Sequence, residues 1–136
     1  MKTDLEYTLK ISEEHGQILW DALELYCRIH MGQWDSCVEY SQVPMGLNIE
    51  CRKELERVAD QFQATPGLCG FYSILSEKLP IDAKIAFDMK QVIRHRLSHD
   101  RNPKARILMG VHFDKPSHWV SDRPLLTIKK ENNDTQ

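Results

Sequence analysis

The chain has 136 residues, with 18 Lys/Arg against 20 Asp/Glu and a formal net charge of −2. That length suits one domain with one modest core, and that charge excludes a protein whose whole surface grips nucleic acid. The charge is unevenly placed: residues 1–27 carry a local net of −4, whereas residues 94–106 hold five Arg/Lys against Asp100 alone, a local net of +4 before histidine is counted. An anion is drawn to the second region. Cys27, Cys37, Cys51 and Cys69 form no CxxC pair, so no zinc knuckle is expected, and free thiols in a reducing cytoplasm are. No apolar run has signal-peptide or membrane length.

Leu5, Tyr7, Leu9 and Ile11 alternate with polar residues, the period of a strand with one wet face. Ser12 then offers an N-cap, with Glu13 and Glu14 suited to the first turn. A helix is expected over Glu13 to Met31, with Ile18, Ala22, Leu25, Tyr26 and Ile29 on one stripe, Leu19, Leu23 and Cys27 beside it, and Gly32 ending it. Pro44 and Gly46 limit residues 33–47 to a short helical turn near Asp35 to Ser41. Asn48 can cap a surface helix carrying Cys51, Leu55, Val58, Ala59 and Phe62, which Thr65-Pro66-Gly67 closes. Leu68 to Leu79 reads as an irregular connector.

Pro80 to Arg106 reads as the longest helix, stopping at Asn102-Pro103. Ile85, Ala86, Met89, Val92, Ile93 and Leu97 recur at three- and four-residue steps and so share a face. Beyond it, Ile107, Met109, Val111 and Phe113 alternate as a second strand, 114–124 is a loop, and Leu125 to Ile128 is a third short strand. The expected fold is α+β: three helices packed on a small antiparallel three-stranded sheet, one domain over residues 1–129, with 130–136 a flexible tail. An exposed sheet edge and a wide apolar helix face point to a homodimer.

The end of the long helix gathers Arg94, His95, Arg96, His99, Arg101 and Asn102. Basic residues favour a helix C-terminus on dipole grounds alone. A cluster this dense also suits a phosphate. Arg96 falls inside the apolar stripe, where a guanidinium needs a buried acid, a pocket or a route to water. His95 and His99, four apart, have metal-ligand spacing with Asp88 on the same face, but lack an HExxH glutamate and need His112 or His118 as a third ligand; no metal or other cofactor is expected. Arg28 and Trp34, flanking Gly32, supply a planar fork and a stacking surface, and Phe71 is a second stacking candidate.

Arg94-His95-Arg96-Leu97-Ser98-His99 resembles the active-site signature of HEPN-type ribonucleases, which are helical dimers. The resemblance implies metal-independent RNA cleavage, with Arg94 stabilising the phosphate and His99 moving the proton. Across most of the chain, DALELYCRIHMGQW, DAKIAFDMKQVIRHRLSHDRNP and FDKP…SDRPLLTIK look like a set of small phage- and prophage-encoded proteins. That resemblance implies a counter-defence factor in the host cytoplasm. The reading of these residues is a non-enzymatic binding protein that sequesters a small nucleotide-type signal, such as a cyclic nucleotide or an ADP-ribose derivative. Its site would be Arg28, Trp34, Phe71, Arg94, His95, Arg96, Arg101 and Asn102. No membrane is involved, and nucleic acid is a partner only if the chain is a ribonuclease. A third reading is an inhibitor of a host defence protein, anchored by Trp119.

Overall fold

The computed structural model describes residues 6–34, 36–39, 45–59, 73–104, 110, 112–117 and 121–131. They form four helical elements: α1 (Glu13–His30), α2 (Ser36–Glu39), α3 (Met45–Ala59) and α4 (Ile81–Arg101). α2 is a single turn that contacts α1, and α3 contacts α2. No helix among the described residues is long and apolar enough to cross a membrane.

Both ends of α1 follow from its sequence. Ser12 Oγ accepts from the His15 backbone N–H at 3.2 Å, and the Ser12 N–H donates to His15 Nδ1 at 3.4 Å. This is a reciprocal capping box with His in the usual Glu/Gln place. At the other end the Gln33 N–H donates to the Arg28 carbonyl at 2.8 Å and the Gly32 N–H to the Ile29 carbonyl at 3.1 Å. These are the two bonds of a Schellman motif, and Gly32, at φ +80°, takes the left-handed position it requires. α4 starts after Pro80, whose φ of −64° suits a helix entry, and carries Asp82 in its first turn. Asn102 stops it: its side-chain amide donates to the Ser98 carbonyl at 2.9 Å, and Pro103 follows. α3 begins at Met45, ahead of the expected Asn48 cap.

α1 and α4 lie antiparallel and hold the centre of the protein. Glu13 meets Arg101, Gly16 lies under Leu97, Glu24 meets Lys90, and the Cys27 thiol donates to the Ala83 carbonyl at 3.4 Å. A Cβ on Gly16 would sit 3.4 Å from the Leu97 side chain, in ordinary van der Waals contact. The seam of α4 is Ala83, Ala86, Lys90, Ile93 and Leu97, all buried and spaced by threes and fours. Cys27, Met31, Ile74, Leu79 and Ala86 form the apolar cluster, with Leu23 and Phe87 against it. Burial pushes the Cys27 thiol up to about 12, so it is an inert core group.

The expected three-stranded sheet is not there: the described residues contain no strand, and the fold is mainly helical rather than α+β. Residues 6–11 keep their alternation, but Tyr7 is 89% and Leu9 72% exposed. Alternation identifies a strand only when a second strand takes its backbone hydrogen bonds. Residues 125–128 likewise form no strand, and the segment that contains them is tied to α4 by side chains. The Ser121 N–H donates to Asp88 Oδ2 at 3.0 Å, and Lys130 Nζ lies 3.5 Å from Asp100. Lys130 and Glu131, at the start of the expected tail, carry ion pairs, Glu131 with Lys10 at 3.1 Å. Most of the remaining expected strand, 107–109 and 111, lies outside the described residues. Its far end is a turn, where the Phe113 N–H donates to the Gly110 carbonyl at 2.9 Å.

The helix faces also differ from expectation. Ile18, Ala22 and Tyr26 are exposed, and Ile85, Met89 and Val92 are only half-buried. The seam instead runs through Gly16, Glu24 and Cys27 because a buried ion pair sits at its middle. Glu24 accepts from both Lys90 and Arg28, the latter at 2.6 Å, and Lys90 Nζ lies 4.4 Å from the Phe87 ring centroid. Burial pushes the Glu24 carboxyl pKa up, but the hydrogen bonds and charges of Lys90 and Arg28 outweigh it, and the net pKa lies below the ordinary 4.5.

A carboxylate with a lowered folded-state pKa stabilises the fold above its ordinary value and loses that contribution as pH falls through the folded one. Stability is therefore expected to decline as pH falls below 4.5, and a Glu24→Leu/Lys90→Leu chain to decline less. Glu24→Leu alone, leaving Lys90 buried and unpaired, should cost about 3–5 kcal/mol in urea unfolding, most of it recovered in the double variant.

Candidate anion-binding site

At the corner where α1 starts and α4 ends, a cavity of about 60 Å³ opens between the two helices. Gln17 and Trp20, three apart, line it from α1. Arg94, Leu97, Ser98 and Arg101 line it from α4, and His112 closes it from the turn after Gly110. The His112 ring meets Trp20 edge-on, with centroids 6.4 Å apart. A space of this size holds a few waters or one compact anionic group, not a nucleobase.

Two of its wall residues have buried donors with no acceptor among the described residues: Arg94 Nε and Trp20 Nε1. Buried polar groups are nearly always satisfied, and each orphan costs about 1–3 kcal/mol. The neighbouring arginines differ. Arg96 grips Asp100 through two bonds of 2.8 Å, and Arg101 Nε donates to Glu13 Oε1 at 2.6 Å. Arg94 has no acidic partner among the described residues.

The residues expected to form one site fall into separate groups. Arg94 and Arg101 line the cavity together. Arg28 and Trp34 stand beyond the opposite end of the seam, Arg28 roughly 20 Å along α1 from Glu13. Arg28 is engaged with Glu24 and with Gln33 Oε1 at 3.0 Å, so the antiparallel pairing does not bring it to the basic corner. Arg96 resolves its place near the stripe by pairing with Asp100, and Asn102 is used in the helix stop. Phe71, His118 and Trp119 lie outside the described residues. Nothing in the charge pattern singles out Trp20 or Gln17, and His112 enters the sequence argument only as a metal ligand.

His95 and His99 meet at a tilt of 54° with centroids 4.4 Å apart, and Phe113 meets His99 edge-on at 5.4 Å. Burial, then the charges of His99, Arg96 and Arg94, hold the His95 pKa below the ordinary 6.5. Arg94 and His99 are about 140° apart around α4. Arg94 faces α1 while His99 packs on Phe113, so one chain does not aim both at one phosphate. Among the described residues no three His, Cys, Asp or Glu side chains group as a metal site.

No protein-family model, no curated protein and no solved structure matches the chain. The cavity carries the functional reading.

A residue kept for binding at the expense of the fold should reveal itself in stability. Arg94→Met, which removes a buried orphan donor and keeps most of the volume, is expected to leave urea stability unchanged or raise it by about 1 kcal/mol. Arg96→Met, which leaves Asp100 with Lys130 alone, should lower it.

Proposed function

We propose that this is a non-enzymatic binding protein that captures a phosphate-bearing small molecule of the nucleotide class by seating a phosphate between Arg94 and Trp20. The observation that carries this reading is the pair of buried, unpartnered donors on the two helices that wall one cavity. Arg94 supplies the charge, Trp20 a neutral N–H, and Arg101 and His112 the rim. The small volume admits the phosphate alone, so sugar and base lie outside across the rim. With the resemblance to phage-encoded proteins, the ligand is a host signal nucleotide, and its capture blunts a defence pathway. Arg94 and His99 of one chain face different neighbours, so a ribonuclease site would have to be shared between two chains.

Calorimetric titration with cyclic nucleotides, ADP-ribose and a linear nucleotide should give binding for at least one, weakened about tenfold or more in Arg94→Met and Trp20→Phe while both variants stay folded. Trp20 fluorescence should report the same event. Absence of heat with every phosphate compound overturns the proposal, and RNA cleavage lost in His99→Ala would replace it with the ribonuclease reading.

A further inference from the structure

From the charges around the cavity we infer that the site selects a singly charged phosphodiester over a doubly charged terminal phosphate, and that Glu13 sets this selectivity. The inference rests on the binding reading above and concerns its ligand class. Two guanidiniums line the cavity, and of these Arg94 has no acidic partner among the described residues. Arg101 is held by Glu13 at 2.6 Å. Asp100 is shared by Arg96 and Lys130, neither of which lines the cavity. Asp21, which accepts from Gln17 at 3.0 Å, adds negative charge nearby and acts against a dianion. The wall arginines, with Glu13 on one of them, therefore offer an entering ligand one net positive charge.

A phosphodiester carries one negative charge and matches it. A phosphomonoester carries about two near neutral pH, and the second must be desolvated without a cation of its own while facing Glu13. Glu13 and Arg101 are both substantially exposed, with side-chain exposures of 60% and 42%. Their pair is weak and salt-sensitive, so Glu13 acts through its charge more than through a rigid bond. Neutralising Glu13 frees Arg101 and raises the net charge of the corner by one. The interaction energy scales with ligand charge, so the fold-gain of a dianion is the square of that of a monoanion.

The test titrates 3′,5′-cyclic AMP, a diester, and AMP, a monoester with the same base, into the full chain and into Glu13→Gln at low salt. The wild-type chain should bind cyclic AMP more tightly than AMP. In Glu13→Gln cyclic AMP should gain about 3-fold and AMP about 10-fold, with the difference shrinking as salt is raised. Glu13→Ala, followed with its melting temperature, should reproduce the shift and separate it from any loss of helix-start stability. Tighter binding of AMP by the wild-type chain, or an AMP to cyclic AMP ratio the same in all three chains, overturns the inference while leaving phosphate capture intact. Failure of every chain to bind either nucleotide overturns the inference, and phosphate capture is then decided by the wider titration with ADP-ribose and the other nucleotides.

Discussion

The contact on which the structure depends is the ion pair between Glu24 and Lys90 at the centre of the α1–α4 seam. Charges this deep are tolerated only as partners, so each fixes the position of the other. Glu24 sets the rotation of α1, Lys90 that of α4, and together they set the register between the helices. Once that register is set, Gly16 falls under Leu97, Cys27 reaches Ala83, and Trp20 comes to rest on the cavity that Arg94 also lines. The cavity is a product of this alignment. A rotation of α1 that buried Ile18 and Tyr26 would enclose more hydrocarbon, but it would turn Trp20 away from the basic end of α4.

The arginines show how one residue type takes different tasks from its neighbours. Arg28 helps compensate Glu24, Arg96 is closed onto Asp100, and Arg101 is held loosely by Glu13. Arg94 has none of these outlets among the described residues, and the cavity it lines carries a second donor without a partner there. The dipole argument explains why cations gather near the end of α4. It does not explain a guanidinium turned toward a helix neighbour with its Nε–H unused, and the binding reading does.

Much of the helical scaffold is legible from residue type alone. Ser12, Gly32, Pro80 and Asn102 mark helix ends by local rules, and local rules act without knowledge of the rest of the chain. The burial of Cys27 is legible too. The sheet is a false signal, because Tyr7-Leu9-Ile11 alternates whether or not a partner strand exists. The helix faces mislead for a related reason: counting apolar residues puts Ile18 and Tyr26 inside and Glu24 and Lys90 outside, whereas mutual compensation lets the ions take the seam. The site is half legible. Arg94 and Arg101 show as charge, but Trp20 and His112 join them only through contacts between distant segments.

Those distant segments also impose an order in time. When α1 leaves the ribosome, Lys90 has not been made, and the Glu24 carboxylate has Arg28 of its own helix as its one native partner. At ordinary synthesis rates the stretch from His30, where α1 ends, to the end of α4 takes on the order of ten seconds to append. Through that interval the early helix has its Ser12 and Gly32 caps to keep it wound, but not its chief packing partner. Assembly of the protein therefore waits on α4, and a nascent chain halted before Lys90 leaves the Glu24 carboxylate with Arg28 as its one native mate.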